Sequence, residues 1–213
     1  METINQPVVE WGVASCAHKG QTESADLPLV RIEPGYVLVG TVDGLGNGEE
    51  AALAANAAIQ TLASAKERSV IELLDRCHAR LLPTRGVVMS IAMFNTVDST
   101  MTWAGIGNVE GFLLRTDLEA SPRYESLLLR NGVVGARMPY IVGARMPFIH
   151  AAIVPIMRGD TLIFSTDGIR SDYRKDVRIE HPPQQIADQI MAQSYKGTDD
   201  ALVLVVRYRG GVS

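Results

Sequence analysis

Val37-Leu38-Val39-Gly40-Thr41-Val42-Asp43-Gly44-Leu45-Gly46-Asn47-Gly48 is the stretch around which the chain is organised. Its first half is short, apolar and β-branched and ends in a glycine-rich turn, which predicts a buried strand. Behind the turn, Glu49 to Lys66 is rich in alanine, with Leu53, Ile59 and Leu62 at helical spacing. Glu49 and Glu50 fall in the first turn of that helix, where the dipole favours acids. One carboxylate, Asp43, therefore stands at a strand end beside a loop able to bring bare backbone close to a ligand.

The loop admits several chemistries. As a phosphate or dinucleotide cradle it would set backbone N–H groups against an anion, but Asp43 repels phosphate unless a cation lies between them. An ATP box of the histidine-kinase kind needs Asp-x-Gly-x-Gly, and Leu45 occupies the first required glycine. As a metal site the loop needs no adjustment, because Asp43 and the Gly44 carbonyl are hard oxygen donors suited to magnesium or manganese. An aspartate that merely caps a turn is the plain alternative.

Composition narrows the field. At 213 residues and 46% apolar, the chain can bury a full core as a single domain over 1–213. A net charge of −4 offers no basic field for nucleic acid or an acidic membrane surface, and neither is expected as a partner. Cys16 and Cys77 are sparse, and Met1 to Gln6 lacks the positive flank and apolar run of a signal peptide. No stretch approaches the roughly 20 apolar residues of a membrane span. The expected setting is a reduced cytoplasm.

In chain order, Val8 to Ala17 predicts a first strand, and Asp26 precedes a short one at Leu27 to Val30. A second helix runs from Ser69 to Leu82, with Ser69 as N-cap, Glu72 three residues on and Pro83 beyond its end. His78 on it reads as a surface or half-buried residue, with no second histidine or cysteine spaced to join it on a metal. Strands follow at Val87 to Val97, Met101 to Ile106, Val109 to Arg115 and Tyr124 to Arg130, and their short connections predict antiparallel neighbours. Thr161 to Thr166 forms another strand and Pro182-Pro183 opens a last helix to about Ser194. Asp199-Asp200 then begins a nearly continuous apolar strand to Val206.

Residues 134–149 hold a duplication: Val134 to Ile141 is repeated as Val142 to Ile149, with Tyr140 answered by Phe148. Its prolines and glycines predict a protruding loop. The plain reading is a neutral extension, and the other is a basic flap in which Arg137 or Arg145 meets an acidic or phosphorylated partner.

Four aspartates thus flank strands: Asp26, Asp43, Asp167 and Asp199. Gathered without a cation they would repel one another and raise their pKa values. Two divalent ions about 4 Å apart would remove the repulsion and activate a shared water, an arrangement suited to a phosphomonoester. No Ser-His-Asp pattern or zinc spacing competes.

The ordered motifs Ser24-Ala25-Asp26, Asp43-Gly44-Leu45-Gly46-Asn47-Gly48, Trp103-Ala104-Gly105-Ile106-Gly107-Asn108, Thr166-Asp167-Gly168-Ile169 and Asp199-Asp200-Ala201 resemble the PPM-type metal-dependent serine/threonine phosphatases. The match is to the bacterial branch that includes SpoIIE, RsbU and RsbX. The resemblance implies an α+β fold, a four-layer αββα sandwich of two mainly antiparallel sheets flanked by helices. Periodicity alone implies only mixed α and β. The resemblance also implies two Mn2+ or Mg2+ ions, bridged by Asp43 and the Gly44 carbonyl. Asp167 and Asp199 would serve one ion, and Asp26 the other through water. The small stand-alone size looks most like the RsbX subgroup, which dephosphorylates phosphorylated STAS-domain stressosome scaffold proteins.

Two departures from the wider family stand out. Leu45 replaces a histidine proposed to protonate the leaving oxygen, and Gln21 replaces a phosphate-binding arginine, leaving at most Lys19 to assist. A catalytically silent binding module on a phosphoprotein scaffold is the alternative function, and a nucleotide-binding switch a third. Asp172 and Asp200 read as surface or capping residues.

Overall fold

The computed structural model describes residues 7–20, 23–117, 119–120, 122–136, 138 and 149–210. Among the described residues, ten strands and three α-helices follow one another as β1 (Val9–Cys16), β2 (Asp26–Glu33), β3 (Tyr36–Gly44), α1 (Glu49–Ser64), α2 (Val70–Leu81), β4 (Val87–Asn95), β5 (Thr100–Ile106), β6 (Glu110–Leu114), β7 (Tyr124–Ser126), β8 (Ala152–Pro155), β9 (Thr161–Ser165), α3 (Pro183–Ser194) and β10 (Ala201–Tyr208), with a short 3-10 helix at Ser171–Lys175. Two five-stranded antiparallel sheets result, one ordered β1-β10-β9-β6-β7 and the other β2-β3-β4-β5-β8.

The apolar runs of β3 and β10 are continuous because both faces of each strand are covered. On β3, Val37 and Val39 face the space between the sheets, while Leu38 and Val42 pack beneath α1 and α2. On β10, Leu202, Leu204 and Val206 fill the inter-sheet core and Val203 and Val205 lie under Ile186 and Ile190 of α3. The layers are therefore helix, sheet, sheet, helix, the expected αββα order. Each fully buried leucine or phenylalanine in them contributes about 2 kcal/mol.

Several local expectations hold. Ser69 caps α2 by accepting from Glu72 N at 3.4 Å. Pro28 lies in β2, an edge strand, where a missing N–H is tolerated. His78 is half-buried and its Nδ1 accepts from Gly135 N at 3.0 Å.

Others are corrected. Leu53 is 61% exposed, and α1 packs instead through its alanines and Leu62. β5 and β6 are consecutive but belong to different sheets, so they are not neighbours. Three extended residues can span the roughly 10 Å between stacked sheets, and Gly107–Val109 makes that crossing. The strand expected over Tyr124 to Arg130 ends at Ser126, because the chain then returns to the other sheet, where Arg130 N donates to Gly105 O at 3.2 Å. β8 has no counterpart in the sequence reading. In the duplication, Val134 is bonded to Val87 through both backbone groups at 2.9 Å. Arg137, Arg145 and most of the second copy lie outside the described residues.

Candidate metal centre

The strand alternation that buries Val37 and Val39 between the sheets also directs Asp43 there, two residues beyond Thr41. Asp26 pairs directly with Asp43 across β2 and β3. Two like charges opposite each other in an antiparallel pair are destabilising, so nothing about strand pairing itself favours them. Asp26 and Asp43 lie within strands rather than on flanking loops.

From the other sheet, Asp167 follows β9 and Asp199 and Asp200 precede β10. Two glycines let these ends close together. A Cβ on Gly168 would stand 2.0 Å from Asp200 O, and one on Gly44 would stand 2.2 Å from Ala51 O at the start of α1. Neither approach is open to any other residue.

A cavity of about 410 Å3 opens at this end of the sandwich, lined by Asp26, Asp43, Asp167, Asp199 and Asp200 together with Gly44, Leu45, Asn108 and others. The four expected aspartates and Gly44 thus share one site. Asp200, read from sequence as a surface or capping residue, is a fifth member: it is only 7% exposed, and its carboxylate accepts from His18 N at 2.6 Å and Ala25 N at 2.7 Å. It ties the loop that presents Asp26 to the start of β10. Its alternation with Leu202 and Leu204 was the available signal, since it puts Asp200 on the inter-sheet face. Asp172 is on the surface, ion-paired with Arg170 at 3.6 Å.

Asn108 is the other residue missed. Its amide donates to Asp167 Oδ2 at 2.7 Å, and Lys196 Nζ donates to the Asp167 main-chain carbonyl. Leu45 lines the cavity, whereas Lys19 is exposed and not part of its wall. Gln21 lies outside the described residues.

The electrostatics are those of a site lacking its counter-charge. Burial pushes Asp26 up to about 7, opposed by a bond from Thr166 and reinforced by Asp200, Asp167 and Asp199. Burial likewise pushes Asp43 up to about 8, with Asp26 the foremost of the neighbouring charges. Asp167 is raised by burial and then by Asp199, while Lys196 and Asn108 pull it down.

Among the described residues no three His, Cys, Asp or Glu side chains already stand close enough to hold an ion unaided. The fit rests on other features. Asp26 Oδ2 is buried with no hydrogen-bond partner, and hard oxygen donors repel one another around an open cavity. Divalent cations of the magnesium or manganese type suit both.

Residues 33–209 match the family model for stage II sporulation protein E (SpoIIE). Compared by sequence with curated proteins, the chain matches none. Among solved structures, one from work on the bacterial stressosome as a modular system adapted to control secondary messenger signalling shares 23% identity over 93% of this chain and 99% of its own, with a TM-score of 0.81. RsbX in complex with magnesium shares 19% identity over 94% of this chain and 95% of its own, with a TM-score of 0.78. The PP2C phosphatase domain with a regulatory fragment of SpoIIE from Bacillus subtilis shares 22% over 96% of this chain and 64% of its own, at a TM-score of 0.72. At these identities the likeness establishes the PPM-type phosphatase fold.

Proposed function

We infer the function from one premise: the chain belongs to the SpoIIE family. It is a divalent-metal-dependent phosphoserine/phosphothreonine protein phosphatase acting on STAS-domain scaffold proteins of a stress-signalling assembly. The observation that carries this reading is the convergence of Asp26, Asp43, Asp167 and Asp199 on one cavity at the sandwich end. RsbX bound to magnesium and the structure from work on the bacterial stressosome share this fold and support the finer reading of metal and partner. Free Cys16 and Cys77 suit a reducing cytoplasm, and among the described residues no helix is long and apolar enough to cross a membrane.

Asp26, Asp43, the Gly44 carbonyl, Asp167 and Asp199 would hold two Mn2+ or Mg2+ ions. When bound, these supply charge neutralisation and a water activated for in-line attack on phosphorus. The chain's own part is positional. Asn108 orients Asp167 by donating to Oδ2, and Asp200 anchors the segment that sets Asp26 opposite Asp43. Leu45 offers no proton to the leaving oxygen and keeps that wall apolar.

Phosphate release from a phosphorylated STAS-domain protein, measured with manganese and again with EDTA, tests the reading. Release that depends on manganese is expected. Equal rates in both would overturn it, and stoichiometric binding without turnover would point to a silent scaffold-binding module.

A further inference from the structure

Among the described residues, none lining the carboxylate cavity carries a positive charge. A phosphomonoester dianion bound there would gain from a cation supplied by the chain itself. Arg85 sets a guanidinium beside one residue of the cavity wall, Gly46. β3 and β4 pair Gly44 with Val87, and Leu45 N donates to Gly86 O at 3.2 Å. Continued for one more residue, this antiparallel register sets Arg85 opposite Gly46, a residue of the cavity wall. The contact is close: a Cβ on Gly46 would meet Arg85 Nη1 at 2.7 Å. Because position 46 is glycine, the guanidinium can stand against the backbone of a residue that lines the cavity.

Arg85 is engaged elsewhere through one edge alone in the contacts seen here. Its Nε pairs with Glu50 Oε2 in the first turn of α1, and both side chains are more than half exposed, at 54% and 67%. Exposed pairs of this kind are weak and exchange readily. A guanidinium, by contrast, matches the planar fork of two phosphate oxygens, and that bond is among the stronger ones available to a side chain.

We propose that Arg85 is the substrate-binding cation of this site. It leaves Glu50 to grip the phosphoryl group of the incoming phosphomonoester, with Glu50 acting as its competitor. The proposal rests on the phosphatase reading, but its binding arm does not require turnover. The position lies after α2, far in sequence from Gln21 and Lys19.

The test uses full-length, manganese-loaded protein and three variants: Arg85→Ala, Arg85→Lys and Glu50→Gln. Two measurements are made, inorganic phosphate affinity by calorimetry and steady-state hydrolysis of a small aryl phosphate. Arg85→Ala should weaken phosphate binding and raise KM by about tenfold, the scale of one charge-assisted bond, with a smaller effect on kcat. Arg85→Lys should recover part of both, and Glu50→Gln should tighten phosphate and lower KM. Melting temperatures should move little, since the residues are exposed. Unchanged phosphate affinity in both Arg85→Ala and Glu50→Gln overturns the proposal even if hydrolysis proceeds. If the parent protein binds phosphate through Arg85 but hydrolyses nothing, the proposal stands and the phosphatase reading falls.

Discussion

Replacing Asp26 by asparagine separates the cost of the acidic site from its use. Asp26 is 3% exposed and its carboxyl is raised from 3.8 to about 7. A folded-state pKa above the unfolded value means that the folded chain holds this proton more tightly. The resulting stability is complete below about pH 3.8 and is lost as pH rises through about 7. At about 1.4 kcal/mol per unit, the loss is on the order of 4 kcal/mol once Asp26 is ionised. Asparagine removes that penalty and also relieves Asp43, for which Asp26 is the foremost charged neighbour. Imperfect bonding of the buried amide returns part of the gain, roughly 1–2 kcal/mol. In chelator at about pH 8, Asp26→Asn should therefore melt about 5–10 °C above the parent, at 2–4 °C per kcal/mol for a chain of this size. At about pH 5 most of the gap should close, because the parent carboxyl is then protonated in the fold. Saturating manganese should reverse the order, since only the parent keeps the full ligand charge. Calorimetric scans across pH, with and without manganese, read all of this. A gap that is the same at both pH values, or a variant that melts below the parent at the higher pH, would refute the reasoning.

Asp43→Asn should lower manganese affinity and turnover together, by at least about tenfold, because a charge offsetting the cations is lost; near-normal hydrolysis would show that the centre is misplaced. Asp200→Ala should strip the acceptor from His18 N and Ala25 N, at a cost of about 1–3 kcal/mol for the buried Ala25 N and less for the part-buried His18 N. Faster amide exchange over 17–20 and 23–25 and weaker manganese binding are the readouts, and protection equal to the parent's would count against the anchoring role. Deleting Val142–Ile149 removes one copy of the duplication and leaves the aspartates intact, so aryl phosphate and phosphoprotein should both be hydrolysed at parental rates. A several-fold fall in kcat/KM for the phosphoprotein alone would instead reveal a substrate-recognising flap.

Much of this was legible in the chain itself. The apolar run of Val37 to Val42 ending in Asp43-Gly44, the Thr166-Asp167-Gly168 turn and the Asp199-Asp200 pair before β10 are local patterns. Strand ends, caps and helix starts follow from neighbouring residues, and so did most of the elements and four of the cavity's aspartates. What local pattern could not decide is which strand joins which sheet. A three-residue link serves a hairpin or a crossing between sheets equally well, and only the competition of β8 for β5 and of β9 for β6 settles the matter. Face was also hidden in β3 and β10, because a strand covered on both sides shows no alternation of polar and apolar residues. Parity places Asp200 with Leu202 and Leu204, but its burial and its bonds to His18 N and Ala25 N exist only once β10 lies beside β1 and the segment before β2 closes over it. The same holds for Asn108 and Arg85. Each gains its place from a residue more than 30 positions away: Asn108 from Asp167 when the sheets close on each other, and Arg85 from Gly46 through the register of β3 and β4.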